Sequence, residues 1–477
     1  MSVLNENISV YRFFEEISQI PRGSYKEEKI ADYLVDFAKK RNLKYIRDDM
    51  NNMIIFKNAS SLYQGHEPIM LQGHIDMVNE KNKDSQHDFD HDPLELYVEN
   101  GFLKAKGTTL GADDGCGVAI MLALLDDRDA KHPPLECVFT VQEEVGLLGA
   151  AHLDTSILKS KRMIGLDSGN EYEVTTSSSG GKRVSMYKDF TYEKNDSPIY
   201  GLTVKGLTGG HSGGDIDKER GNAIQLNIRL LHLLLKQGID VRLVEINGGL
   251  KDNAIARECV TVFASSSQPQ EIEKILEKGF YDLKAQYRTT EPHLCVELET
   301  DHCDYCMNAQ DSEAIISTIY LCPNGCIAKS MDIKGLTLIS LNSGVVRTLD
   351  NKVEIIYSLR SPLKGAVDEL TDKLDMIASI YGLVTHVNSE YGGWLYDPHS
   401  KIRKQMFKFF KNEYGLELKE KASHGGLETG IFKAKIKDLD IVTYGPNMSG
   451  IHSPDETLDL KSFIRVYEHL KDFLETL

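Results

Sequence analysis

A chain of 477 residues exceeds what one ordinary hydrophobic core serves, since domains run to about 150 residues each, so two or three cores are expected. With 41% hydrophobic and 27% charged residues the composition is that of a folded soluble protein and excludes a disordered one. The 72 acidic residues outweigh 55 basic ones for a net charge of −17, which argues against nucleic acid or an anionic membrane as partner and is compatible with bound divalent cations.

The opening segment MSVLNENISVYRFFEE has neither a basic leader nor an apolar stretch behind it. No run elsewhere approaches the roughly 20 apolar residues of a membrane span, so a cytoplasmic protein is expected. From Lys26 to Arg41, Ile30, Leu34 and Phe37 recur at helical spacing. Short apolar runs then predict strands at PIMLQG (68–73), LECVFTV (135–141), RMIGL (162–166) and LDIVTYG (439–445), with a helix from Gly117 following GADDG. Alternation of this kind is an α/β signature with a mixed, mostly parallel sheet flanked by helices. Between about 198 and 390 the pattern changes to long amphipathic strands and helices, predicting an inserted α+β domain. RECVTVFASSSQPQEIEKILEKG and NKVEIIYSLRSPLKGAVDELTDKL read as a faint internal echo, or as generic alternation. The expected division is 1–182 and 393–477 for one domain and 183–392 for the domain inserted in it. The Gly180–Gly181 and Gly392–Gly393 pairs at the junctions read as hinges or as ordinary turn glycines. Eight cysteines in so long a chain are no disulfide framework. Cys303, Cys306, Cys322 and Cys326 do have the CxxC and CxxxC spacing of a zinc site, without the surroundings of a zinc ribbon.

The polar residues fall in one kind of place. His74 and Asp76 follow the first of these strands, Glu143 and Glu144 the second, Asp167 the third, and His452 lies in the loop after the last. Asp113 and Asp114 open the helix, where a carboxylate meets the positive end of the helix dipole. In an open α/β sheet the ligand crevice lies at the carboxyl ends of the strands. Taken singly, an Asp at a helix start reads as a cap, a His after a strand as a hydrogen-bonded structural residue, and paired Glu as solvated surface. Their shared position favours a site. Crowded carboxylates stay ionised only with cations among them, and imidazole beside carboxylate suits zinc, manganese or cobalt, so a two-metal centre fits best.

GHIDMV, GADDGCGVA, QEEVGLLGA, GLDSGNE, GGHSGGDI, GGLKDNAIARE, SHGGLETG and GIHSPDE occur in that order between residues 73 and 456. As a set they resemble the motifs of the di-zinc metallopeptidases related to aminoacylase and carboxypeptidase G, on the aminoacyl-histidine dipeptidase branch. The resemblance implies two divalent metal ions, zinc first, with cobalt or manganese as alternatives. It makes His74 and Asp167 ligands of one ion, Glu144 and His452 ligands of the other, and Asp113 the bridge. It makes Glu143 the general base and Asp76 the carboxylate that orients His74. It makes 1–182 with 393–477 the catalytic domain and the inserted 183–392 a lid, in which it gives His211 to the oxyanion and Asn253 and Arg360 to the substrate's carboxylate. Arg257 and Glu428 match motif positions without a transferable role. Asp167 in place of Glu suits the aminopeptidase and dipeptidase side of the family. Metal-dependent hydrolysis of dipeptides, Xaa-His among them, is therefore expected, with an aminoacylase or carboxypeptidase as the alternative and a homodimer through the lid by analogy. A phosphoesterase is disfavoured by the missing basic phosphate clamp, and a non-catalytic metal or peptide binder by the presence of Glu143.

Overall fold

The computed structural model describes residues 2–477, which divide into two compact units. The first comprises residues 2–177, Trp394–Ala422 and Leu427–Leu477, and the second Ser178–Gly393 with Ser423–Gly426. Residues 178–182 belong with the second unit because the strand Gly180–Asp189 pairs along its whole length with Lys352–Ser361.

In the first unit eight strands form one sheet: β1 (Lys44–Arg47), β2 (Met53–Lys57), β3 (Ile69–His74), β4 (Leu135–Thr140), β5 (Arg162–Gly165), β6 (Glu173–Ser178), β7 (Lys419–Ser423) and β8 (Asp440–Thr443). Their order is β1-β2-β4-β3-β5-β8-β6-β7. The central four run parallel, β4 with β3, β3 with β5 and β5 with β8. The outer pairs β1/β2, β2/β4 and β8/β6 are antiparallel. β3 and β4 are buried at every position, which is why they read as unbroken apolar runs rather than as alternating ones.

The helix Ala112–Asp126 is apolar around nearly its whole circumference and buried, as expected of a helix enclosed on all sides. It packs on β3 and against the helices Ser9–Ser18 and Leu460–Leu474. Phe13, Phe14, Ile120, Leu124, Phe463 and Phe473 belong to this core.

The second unit is built on a nine-stranded sheet in which every pairing is antiparallel. The helices Ala223–Lys236, Ala309–Leu321 and Lys364–Ile380 pack on it, and Pro269–Gln286 packs against the first of them. Its core includes Ile224, Leu231, Phe263, Ile315 and Tyr357. The strand Gly180–Asp189 starts against the end of this segment: a Cβ on Gly180 would lie 2.5 Å from the backbone nitrogen of Gly393. Only glycine permits that approach.

Candidate active site

The parallel register sets the site. His74, the last residue of β3, stands opposite Thr140, the last of β4, and Gln72 stands opposite Gly165, the last of β5. The three strands therefore end at nearly one level. Asp76, Glu143, Glu144 and Asp167 all lie within four residues beyond these ends. Asp113 comes from the first turn of the helix Ala112–Asp126, and His452 from a turn after β8. Gln142 and His452 have left-handed backbone, φ 53° and 64°, uncommon away from glycine and frequent at functional sites.

Asp113 occupies the centre. Its Oδ1 lies 3.0 Å from His74 Nε2 and its Oδ2 3.3 Å from His452 Nε2, so each carboxylate oxygen faces a different imidazole. His452 Nε2 is also 3.0 Å from Glu144 Oε1. Ligand atoms of His74, Asp113 and Glu144 all lie within 4.8 Å of one another, close enough to hold one ion. The other ring nitrogen of His74, Nδ1, faces the Asp76 carbonyl at 3.2 Å and its Oδ1 at 3.4 Å. A proton held on Nδ1 by that partner leaves Nε2 as the free donor atom. The fully buried Asp76 carboxylate also accepts from the backbone of Glu143 (3.1 Å) and Glu144 (3.3 Å) and from Ser24 Oγ (2.8 Å), which ties the two glutamates to the imidazole.

Electrostatics show how far negative charge is concentrated here. Burial, then the neighbouring Asp113, pushes Asp167 up to about 7. Burial also raises Glu143 and Asp114 well above the carboxylate range and Glu428 to about 8. Hydrogen bonds to Asp113 and Glu144 lift His452 to about 10. Burial disfavours charge on His74, yet the bonds to Asp113 and Asp76 raise it well above its ordinary value. Burial opposes ionisation of Asp113 as well, but His452 and His74 hold it below the usual range. Asp114 Oδ2 and Glu428 Oε1 are buried without a partner. So many acids beside two imidazoles fit divalent cations, which neutralise the cluster and replace the protons.

His211, Asn253 and Arg360 lie in the second unit. His211 Nδ1 accepts from the backbone of Gly213 and Gly214, each at 3.1 Å, so the neutral ring carries its proton on Nε2. Burial and the charge of Arg360 lower its pKa and keep it neutral. Asn253 adjoins it: the short ribbon pairs His211 with Ala254, and Ser212 N–H donates to the Asn253 carbonyl. Arg360 stands on another strand, buried, with Nη1 donating to Tyr391 Oη and Nε unpartnered. His424 bridges Ser179 and Ser340 at 2.8 and 2.7 Å. Burial, then Arg360, takes it down to about 4. Arg257 is exposed, its Nε donating to the Leu207 carbonyl.

The four cysteines, whose spacing alone suggested zinc, do not fall into one cluster. Cys303 and Cys306 belong to a small cluster with Ile199, Val262 and Ala264, whereas Cys322 lies in the main core of the second unit. No group suited to a metal contains a cysteine among the described residues. Ser24, Arg22 and Glu456, which brace the site, do not stand out in the sequence. Glu456 sits inside the quoted GIHSPDE motif, while nothing marked Arg22 or Ser24 beyond their place in a loop.

The chain matches the model of Peptidase family M20/M25/M40 over residues 70–476. It is 34% identical over 472 residues to the cytosol non-specific dipeptidase of Escherichia coli (strain K12), covering 98% of this chain and 97% of that one. The crystal structure of aminoacylhistidine dipeptidase from Vibrio alginolyticus superposes with a TM-score of 0.90 at 34% identity, over 98% of this chain and 96% of that one. Aminopeptidase PepT from Bacillus cereus shares the fold at a TM-score of 0.57 and 15% identity, covering 99% of both chains.

Proposed function

The chain belongs to Peptidase family M20/M25/M40, and from that membership we propose that it hydrolyses the peptide bond of dipeptides, Xaa-His among them, at a centre of two divalent metal ions. The observation that carries this reading is the Asp113 carboxylate, one oxygen on His74 and the other on His452, the posture of a ligand shared by two cations. The extent of the likeness to two dipeptidases supports the substrate class.

His74 and Asp167 would hold one ion, Glu144 and His452 the other, with Asp113 between them; the imidazole and carboxylate donors suit zinc, with cobalt and manganese as alternatives. Such a pair, when bound, supplies Lewis acidity toward the scissile carbonyl and lowers the pKa of water. Glu143, next in sequence to a ligand and held by the same Asp76, takes the proton of the attacking water and returns it to the leaving amine. General base and acid catalysis of this kind contributes about 10²- to 10⁴-fold. Asp76 keeps the His74 ring in register. From the second unit, His211 supplies Nε2–H to the developing oxyanion, and Asn253 and Arg360 recognise the carboxylate of the dipeptide, Arg360 as a two-pronged donor.

The likeness to a cytosol dipeptidase supports a cytoplasmic location. Self-association would use the second unit, whose terminal strand and preceding helix expose Met376, Ile380 and Val384; sedimentation of the full chain checks it. The substrate assignment is tested by comparing free dipeptides, Xaa-His included, with their N-acetylated forms. Hydrolysis of the free dipeptides is expected, and preference for the blocked ones would turn the assignment to an aminoacylase.

A further inference from the structure

Two buried charges outside the catalytic assignments grip the loop that carries Asp113. Arg22 is 2% exposed. Its Nη1 donates to the carbonyls of Ile75 at 3.1 Å and Asp76 at 3.0 Å, and its Nη2 to the carbonyl of Gly111. Room for the guanidinium comes from missing side chains: a Cβ on Gly111 or Gly115 would stand 2.5 or 2.7 Å from Nη2. Arg22 is further bound to the His74–Asp76 segment through its own carbonyl, which accepts from Met77 N–H.

Glu456 is also 2% exposed and holds the same loop from its donor side. Its Oε2 accepts from the N–H groups of Leu110 (2.8 Å) and Gly111 (2.9 Å), and its Oε1 from those of Ala112 (2.9 Å) and Asp113 (3.2 Å). These donors have no partner within the helix that starts here, so one carboxylate satisfies four consecutive amides. Glu456 follows His452 by four residues, in a turn closed by Ser453 N–H to the Gly450 carbonyl and Glu456 N–H to the Ser453 carbonyl.

Buried charges are costly unless bonded; both terminal nitrogens of Arg22 and both oxygens of Glu456 are, while Arg22 Nε has no partner among the described residues. Ordering a flexible ligand set during binding weakens affinity. Resting on the two-metal reading above, we propose that Arg22 and Glu456 are positioning residues that lock the His74, Asp113 and His452 segments at ligand spacing before any cation arrives. Arg22 joins the His74–Asp76 segment to the Asp113 loop, and Glu456 joins the His452 turn to the same loop. Neither touches the reacting atoms.

The test uses the full chain stripped of metal and titrated with cobalt(II), read by its visible absorption and by competition with a chromophoric chelator. Wild type is expected to take up two equivalents. Glu456→Gln keeps the shape but turns an amide NH2 toward two of the four N–H donors, and Arg22→Lys keeps the charge but loses the fork. Each should bind cobalt about 10- to 100-fold more weakly with an altered spectrum, and Arg22→Met should fall below Arg22→Lys. Variants with wild-type affinity and spectrum, whatever their melting temperature, overturn the proposal. Hydrogen exchange on metal-free wild type decides it even where a variant fails to fold: the amides of 110–113 should be as protected as the middle of the helix Ala112–Asp126, and protection appearing only with metal overturns it. A wild type that binds no cobalt overturns the two-metal reading instead.

Discussion

Asp76→Asn is a near-isosteric change at a fully buried carboxylate that is placed to serve His74, Glu143 and Glu144 together. An amide NH2 at the Oδ1 position would face two donors, Glu143 N–H and the Nδ1 proton of His74. The side chain will therefore turn its NH2 to the Oδ2 position, where Ser24 Oγ can accept but Glu144 N–H loses its acceptor. One unsatisfied buried donor costs about 1 to 3 kcal/mol of stability. Loss of the negative charge beside the imidazole lowers its basicity, and changes to such partners of metal ligands typically cost about 10- to 100-fold in metal affinity or activity. Melting of the metal-free protein, competition titration with zinc, and kcat/KM on a dipeptide read the three effects separately. A variant with wild-type zinc affinity and wild-type kcat/KM would refute the orienting role of Asp76, whatever its stability.

Glu143→Gln should lose nearly all turnover, by about 10²-fold or more, while elemental analysis still finds two metal equivalents; surviving turnover would remove Glu143 as the base. His211→Ala should lower kcat by about 10²- to 10³-fold with unchanged metal content, and an unaltered kcat would take it out of the reaction. Glu428 has a pKa of about 8 in the folded chain against an ordinary 4.5. Below 4.5 both folded and unfolded chains hold its proton; between 4.5 and 8 only the folded chain does, so stability falls as pH rises through that window. Metal-free Glu428→Gln should thus gain on wild type by a few kcal/mol between pH 4.5 and 8, seen as a melting-temperature difference that grows with pH. A difference independent of pH would show that Glu428 is ionised in the folded protein.

The metal candidates were legible in the sequence because parallel strands buried on both faces read as apolar runs, so a polar residue at the end of each stands out: His74 after Ile69–Leu71, Asp167 after Met163–Leu166. What a sequence does not display is which backbone groups need a partner. Arg22 lies in a short loop with no periodicity, and its value comes from three carbonyls drawn from segments more than 50 residues away. Glu456 stood inside a recognised motif, but its work is done on amides some 340 positions earlier. The cysteine spacing carries little for a related reason: CxxC proximity along the chain says nothing about Cys322, which follows a separate helix into a different core. The stretch Ser423–Gly426 groups with the second unit although its neighbours on both sides belong to the first. Its ties are the Ser179 N–H to the Ser423 and Gly425 carbonyls and the His424 ring to Ser179 and Ser340, which no local pattern announces.

Anomalous diffraction at the zinc edge, from crystals of the zinc-loaded protein, tests the shared-ligand role of Asp113 most directly. Two peaks are expected, one within bonding distance of Asp113 Oδ1 and His74 Nε2 and the other of Asp113 Oδ2 and His452 Nε2. A single peak, or none at Asp113, in protein that turns over dipeptides would contradict a centre built on that carboxylate.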